Sequence, residues 1–308
     1  MQTLAELTDH FAIPEVLTFD QVETAQTESG LLRANISTPA CTAQLYLHGA
    51  HLARWQPTGH QPVLFLSDRS ELAPEKAIRG GVPVIFPWFG PRTIDQRTDG
   101  PAHGFARLQT WNLAFAAISG DDLHLTLTLG PSDQSRELGF DHFQLAYTVV
   151  LGRELRLRLT VANESEAPLH CEEALHTYLE VGDATQVSLT GLANTEYLDK
   201  TDNFNRKLQT EPTLHLTEQT DRPYLNTPST VILTDPALHR QIAVSKSNSL
   251  TTVIWNPWAE ACAQIHDMSP EGWRTMTCIE TANAGENAIT LAPREAHTME
   301  SHITVASL

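Results

Sequence analysis

Two ionisable side chains lie in or beside apolar segments and could transfer protons. Glu280 follows the apolar run 276–279, where a carboxylate is paired, exposed at a strand end, or tuned for proton transfer. His176 lies in the segment 171–183, and if this segment is a strand, His176 shares a face with Ala174 and Tyr178. A lone histidine on a strand is more often structural than catalytic, so both interpretations remain open.

Two arginines and a histidine occur in two further segments. Arg79 directly precedes two glycines in the apolar run 78–92, and paired glycines let a backbone approach a ligand closely. His103 and Arg107 lie together in 101–107. Arginine suits phosphate because its planar guanidinium donates two parallel hydrogen bonds. A surface arginine beside an ordinary turn and a solvated loop histidine are the alternative interpretations.

An aromatic and polar cluster, Val-Ile-Trp-Asn-Pro-Trp, occupies residues 253–258. Such a cluster suits the face of a sugar. It is equally typical of a packed aromatic corner, and the sequence alone leaves the choice open.

Alternation of apolar and polar residues predicts the elements that would position these side chains. In 121–130 four leucines share one face, and in 154–161 three leucines and a valine do the same. A period of two residues is that of a half-buried strand, and Gly152 with Arg153 predicts a tight hairpin before the second run. Further strand-like runs cover 186–192, 230–234, 251–255, 276–281, 288–291 and 297–305, and 4–11 could form a short helix.

Many strands at regular spacing predict an all-β fold, a large antiparallel β-sandwich or barrel. A parallel α/β fold is not expected, because the crossover helices are missing from the pattern. No repeat, low-complexity segment or Gly/Ser linker divides the chain. We therefore expect one domain over residues 1–308.

The charge of the chain restricts its partners. Among 308 residues, 20 Lys and Arg stand against 37 Asp and Glu, a net charge of −17. A surface this acidic repels nucleic acid and anionic lipid, so neither is an expected partner. An anionic small-molecule substrate would need a local cluster of arginines to overcome this field.

Cysteine spacing and hydropathy indicate the compartment. The four cysteines lie far apart, without the spacing of a zinc site or a disulfide framework, which predicts buried free thiols in a reducing compartment. Residues 1–20 lack a secretory pattern, and the most apolar stretch, 80–91, is short and holds three prolines. These features predict a cytoplasmic protein.

Taken together and in order, these segments resemble the aldose 1-epimerase superfamily, and most of all its hexose-6-phosphate mutarotase branch, the glucose-6-phosphate 1-epimerases. The resemblance begins near 49–55 and runs through 280–283, so it covers most of the chain. The run 79–91 followed by 103–107 is quite specific to the phosphate-sugar branch. The resemblance implies a galactose mutarotase-like supersandwich, in agreement with the alternation.

The resemblance also implies roles for particular residues. His176 and Glu280 would form the acid–base pair. No cofactor or metal would be required, and the protein is expected to act as a monomer. The implied substrate-binding residues are His103 as a polar contact to the sugar, Arg79 and Arg107 near the phosphate, and Asp199 at the sugar hydroxyls.

Two positions depart from the family pattern. Ala102 stands before the His–Gly pair, where family members often have glutamine. A lysine expected shortly after the aromatic cluster is replaced by a stretch that contains Ala261. These differences bear on the detailed substrate preference and leave the acid–base pair unaffected.

Anomer inversion sets simple chemical requirements. Opening a cyclic sugar removes the proton of the C1 hydroxyl and delivers a proton to the ring oxygen, which two positioned groups can do together. Glu280 would act as the base and His176 as the acid, and the roles would reverse on reclosure. Because no electrons move, no redox cofactor is required.

Two other functions fit an all-β chain of this kind. A carbohydrate-binding module would bind sugars through aromatics and carboxylates without turnover, although such modules are usually smaller. A cupin-like metal enzyme is suggested by the 14 histidines, although they lack a close His-x-His cluster followed by a carboxylate.

Overall fold

The structure is a computed structural model that describes residues 2–24 and 27–308. Within these residues the chain forms mostly strands. The helices are α1 (Leu4–Phe11), α2 (Asp133–Glu137) and α3 (Trp258–Cys262). The strands are β1 (Leu17–Thr24), β2 (Thr27–Ser37), β3 (Cys41–Tyr46), β4 (His51–Pro57), β5 (Val84–Ile85), β6 (Asn112–Ser119), β7 (Asp122–Leu129), β8 (Phe143–Leu151), β9 (Leu155–Asn163), β10 (Leu169–Cys171), β11 (Glu173–Leu175), β12 (Tyr178–Glu180), β13 (Ser188–Thr190), β14 (Glu196–Asp199), β15 (Asn205–Leu208), β16 (Thr213–His215), β17 (Thr220–Tyr224), β18 (Val231–Asp235), β19 (Arg240–Ser247), β20 (Thr251–Asn256), β21 (Met276–Asn283), β22 (Ile289–Leu291) and β23 (Ala296–Ser307).

Two large antiparallel sheets make up most of the fold. One has nine strands in the order β16-β13-β18-β19-β23-β9-β8-β7-β6. The other has eight, in the order β15-β14-β17-β20-β21-β11-β5, with β12 also paired to β21. A four-stranded sheet, β1 to β4, and the small pair β10-β22 complete the described strands. The predicted fold class, a large antiparallel β-sandwich, is confirmed.

The period-two pattern has the expected physical cause. On β7 and β9 every leucine and valine of the repeating face is buried, and the residues between them are partly or fully exposed. Gly152 and Arg153 lie in the hairpin between β8 and β9, as predicted. The helix predicted over 4–11 is α1, which Thr3 begins with a capping box to Glu6.

Strand β21 is buried along its whole length, on both faces. Ile279 packs in the central core together with Ile254, whereas Met276 and Cys278 pack in a separate cluster with Tyr178. The central core therefore supports one face of β21, and the other face is free to build a site. The sequence predicts a strand over 276–281, and β21 continues to Asn283 because pairing with β20 and β11 extends that far.

Two further expectations can be compared with the structure. All four cysteines, Cys41, Cys171, Cys262 and Cys278, are buried and free. No helix among the described residues has the length and apolar composition needed to cross a bilayer. The division of the chain into a single domain, residues 1–308, stays a prediction.

Candidate active site

Register across the eight-stranded sheet brings several side chains to one face. Glu280 on β21 lies opposite Val253 on β20, and Cys278 lies between Trp255 on β20 and Tyr178 on β12. Because successive residues of a strand point to opposite faces, these side chains share the face of β21 that turns away from the central core.

His176 lies in a two-residue break between β11 and β12. Its backbone N–H donates to the carbonyl of Pro83 at 3.0 Å, and the N–H of Thr177 turns back to the carbonyl of Leu175 at 2.9 Å. Pairing resumes where the N–H of Ile279 donates to the carbonyl of Thr177 at 3.2 Å. The segment is therefore not one continuous strand, and the break releases His176 from the regular ladder beside Glu280.

The side chains of the predicted catalytic pair meet in the interior. Nε2 of His176 lies 3.4 Å from Oε1 of Glu280. Both residues are buried, Glu280 with 1% of its surface exposed. In the described part of the chain, Nδ1 of His176 and Oε2 of Glu280 have no hydrogen-bond partner. One hexose ring could contact both side chains, because its C1 hydroxyl and its ring oxygen are bonded to the same carbon.

The environment shifts the pKa values of the pair in opposite directions. Burial raises the pKa of Glu280 well above its ordinary value, Asp221 raises it further, and Lys200 opposes the change. Burial lowers the pKa of His176 well below its ordinary value, and the neighbouring His103 and two arginines add to the effect. Both shifts favour the uncharged forms. They reduce the ordinary excess of the histidine pKa over the glutamate pKa.

His103 approaches the pair from a loop with a left-handed backbone, φ 64°. Its Nδ1 accepts a hydrogen bond from the N–H of Gly90 at 3.2 Å, so the proton of the neutral imidazole lies on Nε2. Burial, together with nearby cations, lowers the pKa of His103 well below its ordinary value and keeps the ring neutral. Its ring centroid lies 5.5 Å from that of His176. His103 therefore offers an N–H donor next to the pair.

The glycines of the two motifs allow close packing of backbone against backbone. Gly81 has φ 56°, and a Cβ there would lie 2.3 Å from the carbonyl oxygen of Leu52. Gly104 has φ 69°, and a Cβ there would lie 2.1 Å from the carbonyl oxygen of Phe86. The close approach expected towards a ligand is, at these two positions, an approach to neighbouring protein segments, and it sets the paths of the loops that carry Arg79 and His103.

Arg79 is anchored by two oxygens near the pair. Its Nε donates to Oδ1 of Asp267 and its Nη1 to the hydroxyl of Tyr178, each at 3.0 Å. Tyr178 and Asp267 raise the pKa of Arg79 above its ordinary value, so the guanidinium stays charged. Its side chain is 25% exposed. Arg79 thus presents a positioned cation with N–H groups still available.

Arg107 follows His103 on a 3-10 turn, Ala106–Leu108. Its Nη2 donates to the carbonyl of Ala102 at 2.8 Å, and its Nε is buried without a partner among the described residues. Burial, together with Arg79, lowers the pKa of Arg107 to about 10, so it remains a cation at neutral pH. At Ala102, where the family pattern often has glutamine, the backbone carbonyl holds this arginine.

Asp199 is engaged away from the pair. Its Oδ1 accepts hydrogen bonds from the N–H and the hydroxyl of Thr201, at 3.1 and 2.6 Å, and its Oδ2 binds Nζ of Lys207 at 2.8 Å. It caps a 3-10 turn, Lys200–Asp202, at the end of β14. The structure brings the other five predicted residues together, but it gives Asp199 a local structural partner for each carboxylate oxygen.

The neighbouring Lys200 reaches the site instead, and the sequence did not single it out. Its Nζ lies 2.9 Å from Oδ2 of Asp221 and 5.6 Å from the centroid of the Phe89 ring. Asp221 lies opposite Trp255 on the sheet face that carries the pair. The expected lysine is indeed missing near Ala261, in α3, and Lys200 supplies a cation from another segment. Lys200 directly follows Asp199 in the sequence, so the predicted residue and the residue that reaches the site are neighbours.

Glu172 is a second residue that the sequence did not mark as functional. Its carboxylate accepts hydrogen bonds from the N–H of Phe89 and the N–H of Gly285, each at 2.6 Å. It thereby ties together two loops at the site. The ring of Phe89 contacts that of His103 edge-on at 4.9 Å. Only the acidic pair Glu172-Glu173 before an apolar strand could have drawn attention to it.

Cys278 completes a cluster that the sequence spacing did not predict. Potential ligand atoms of His176, Cys278 and Glu280 lie within 4.8 Å of one another. Burial raises the pKa of the Cys278 thiol well above its ordinary value, and a metal ligand must be deprotonated. Arg79 and Lys200 add positive charge nearby. A metal ion there would have to displace the proton of a thiol that burial keeps protonated, and no role in the reaction is assigned to one.

The sandwich and its buried histidine–carboxylate pair can be compared with families of known proteins. A model of the aldose 1-epimerase family matches residues 33–304, and the chain belongs to this family. It is accordingly an isomerase on a galactose mutarotase-like fold, as the sequence resemblance implied.

Individual relatives indicate which branch of the family the chain resembles. Relatives from Escherichia coli (strain K12) and Salmonella typhimurium, each described as "Putative glucose-6-phosphate 1-epimerase", are 34% and 31% identical. The alignments cover 94% and 89% of this chain, and 96% and 90% of the relatives. A crystal structure described as a putative mutarotase from Salmonella typhimurium superposes with a TM-score of 0.88 at 28% identity, covering 97% of this chain and 96% of that one.

Proposed function

We propose that the chain is a hexose-6-phosphate mutarotase, a glucose-6-phosphate 1-epimerase that interconverts α and β anomers. The observation that carries this proposal is the buried contact of 3.4 Å between His176 Nε2 and Glu280 Oε1. The descriptions of the relatives support the substrate class. The proposal includes a monomeric, cytoplasmic protein that acts without cofactor or metal.

The pair supplies both proton transfers of ring opening. Glu280 takes the proton of the C1 hydroxyl while His176 delivers a proton to the ring oxygen, and the C1–O bond of the ring breaks. The aldehyde then rotates about the C1–C2 bond. Reclosure reverses the roles: His176 takes the proton of the C5 hydroxyl as that oxygen attacks C1, and Glu280 returns a proton to the former carbonyl oxygen.

Burial adjusts the energies of the two protonation states of this cycle. The pair begins as imidazolium and carboxylate and becomes neutral imidazole and carboxylic acid when the ring is open. In water the charged state is favoured, because the ordinary pKa of histidine exceeds that of glutamate. The raised pKa of Glu280 and the lowered pKa of His176 reduce this preference. The cost of reaching the neutral pair of the ring-open state is lowered accordingly.

Cations near the pair would bind the phosphate. The net charge of −17 repels a sugar phosphate at long range. Arg79 and Arg107 are both charged at neutral pH, and they lie near enough to the pair to lower the pKa of His176. Arg79 is already oriented by Asp267 and Tyr178, so little conformational freedom is lost when its remaining donors bind an anion.

Polar groups around the pair would hold the sugar. The Nε2–H of His103 is available as a donor, because its Nδ1 is engaged by Gly90. The ion pair of Lys200 and Asp221 offers both a donor and an acceptor. Binding of sugar hydroxyls by Asp199 stays a prediction. Because Asp199 already binds Thr201 and Lys207, Asp221 is the carboxylate better placed to accept hydrogen bonds from the sugar.

Exchange NMR tests the proposal directly, since it measures anomer interconversion at equilibrium. Wild-type enzyme should accelerate exchange for glucose 6-phosphate far more than for glucose. Equal acceleration of both sugars would refute the phosphate preference. Binding without any acceleration would instead support a carbohydrate-binding protein.

Arginine variants then locate the phosphate site. Loss of one charge-assisted contact costs about 1.5–3 kcal/mol, roughly 10- to 150-fold in affinity. Arg79→Met and Arg107→Met should therefore reduce activity on the phosphate far more than on free glucose. Arg294→Met is the matched control, because Arg294 is an exposed arginine that contacts only Glu164 and Glu166 in the hydrogen bonds described. Equal losses on both sugars would assign the two arginines to folding or to the ring.

A further inference from the structure

Tyr178 contacts both ends of the site. Its hydroxyl accepts a hydrogen bond from Nη1 of Arg79 at 3.0 Å. Its ring stacks on the imidazole of His176, with centroids 4.8 Å apart and planes 13° from parallel. The residue is buried, with 2% of its surface exposed. One rigid side chain thus joins the proposed phosphate-binding arginine to the proposed catalytic histidine.

The imidazole of His176 has few contacts other than ring stacking that could orient it. A catalytic histidine is usually oriented by a hydrogen bond at the nitrogen that does not react. Here Nδ1 of His176 has no partner in another residue of the described chain. The residue also lies in the break between β11 and β12, outside the strand ladder. Apart from the contact of its Nε2 with Glu280, ring packing sets the plane of the imidazole, and Tyr178 supplies the closer of two near-parallel rings.

Other rings hold Tyr178 in place. Trp255 meets it edge-on, with centroids 5.8 Å apart, and Phe65 stacks at 6.5 Å. Burial raises the pKa of Tyr178 to about 12, so the hydroxyl is a neutral phenol. It can orient Arg79 without neutralising the charge that an anion would bind.

We propose that Tyr178 is a positioning residue that couples the phosphate site to the acid–base pair, so that a phosphate held by Arg79 improves the alignment of His176. This inference rests on the proposed function. It predicts that the phosphate group contributes to kcat as well as to KM, because a phosphate bound by Arg79 restrains the phenol that Arg79 contacts and, through its stacked ring, the imidazole.

Two substitutions separate the functions of the hydroxyl and the ring. Tyr178→Phe keeps the stacking and removes the acceptor for Arg79. For glucose 6-phosphate, KM should rise about tenfold or more, the effect of one charge-assisted hydrogen bond, and kcat should fall because the contact that couples Arg79 to the ring is lost. Activity on free glucose should fall much less. Tyr178→Leu removes the ring, and it should lower kcat on both sugars and shift the pH profile. Tyr224→Phe is the control, since that buried hydroxyl interacts with Gln209 and Arg222 and with neither Arg79 nor His176 in the contacts described.

The outcomes distinguish this inference from the proposed function. A wild-type enzyme that does not prefer the phosphate would refute the proposed function before any variant is made. A wild-type preference that Tyr178→Phe fully retains would refute the role of Tyr178 alone. Equal losses on both sugars in Tyr178→Phe would also refute it, because they would indicate a merely structural tyrosine.

A wild-type measurement keeps the test decisive if Tyr178→Leu does not fold. Inorganic phosphate added to isotope-labelled wild-type protein should shift the imidazole resonances of His176, assigned with a His176→Asn variant. The shift should be smaller in Tyr178→Phe. No shift in the wild-type protein at saturating phosphate would overturn the coupling.

Discussion

Replacing Glu280 by glutamine removes the proposed base while keeping the size of the side chain. The carboxylate is buried, and its Oε1 lies 3.4 Å from Nε2 of His176. Solvent therefore has little access to it, and among the described residues no other carboxylate forms an ion pair with His176 that could replace it. General-base catalysis contributes about 10²–10⁴-fold. We expect kcat for anomer exchange to fall by that factor, whereas the affinity for sugar phosphate should change little, because the arginines are untouched.

Stability should respond in the opposite direction from activity. The folded pKa of Glu280 is raised, mainly by burial, so its ionised form is less favourable in the folded protein than in the unfolded chain. Its ionisation therefore lowers the free energy of unfolding as pH rises through the interval from the unfolded to the folded pKa. Glu280→Gln removes this loss, and its Tm should equal or exceed that of the parent at neutral and alkaline pH.

The assay is exchange NMR on glucose 6-phosphate, combined with thermal unfolding across pH. Glu173→Gln is the matched control, because Glu173 is equally buried but binds Asn283 and His297. Near-normal kcat in a folded Glu280→Gln protein would refute the assignment of the base. A collapse in Tm confined to Glu280→Gln would show that the carboxylate is half of a structural pair.

Two further predictions concern charged residues outside the pair. Asp221→Asn should raise KM or lower kcat in the exchange assay more than Asp199→Asn does. The reason is that Asp221 lies on the sheet face that carries the pair, whereas Asp199 binds Thr201 and Lys207. A larger effect of Asp199→Asn would support Asp199 as the sugar contact. Lys246→Met should stabilise the protein in thermal unfolding at and below about pH 7, because burial lowers the pKa of this lysine, which has no hydrogen-bond partner among the described residues, from 10.5 to about 7. The folded state disfavours the ammonium form of Lys246, so the wild-type protein should gain stability as pH rises from about 7 to 10.5. The difference in Tm between Lys246→Met and the wild type should shrink over this interval. A difference in Tm that does not change with pH would exclude titration of Lys246 as its cause.

The fold was predictable because its signal is local. On β7 and β9 each apolar residue is followed by a more polar one, and a strand with one face on a core needs no other information to produce that pattern. The hairpin at Gly152 is similarly encoded by adjacent residues. The short strands β11 and β12 around His176 carry no such signal, because both of their faces are buried. The break between them could not be read from alternation.

The partners of the site residues were less predictable, because they are set by tertiary contact. Asp267 holds Arg79 from a distant part of the chain, and no pattern in either segment indicates the pairing. Asp199 and Lys200 are adjacent in sequence, yet the turn at the end of β14 sends them to different partners. The motifs indicated which types of residue the site contains. Which of two adjacent residues reaches the site depends on the three-dimensional path of the chain, which the motifs do not encode.

The geometry of β21 explains how an ionisable pair can be placed inside a sandwich. A carboxylate on the core face would be surrounded by side chains such as Ile279 and Ile254, and it would lack compensating polar groups. On the opposite face, Glu280 has His176 at 3.4 Å, and the ion pair of Lys200 and Asp221 affects its pKa. Burial on that face costs less than burial in the core, while it still excludes enough water to shift both pKa values. The same strand therefore stabilises the fold with one face and shifts the pKa values of the proposed acid–base pair with the other.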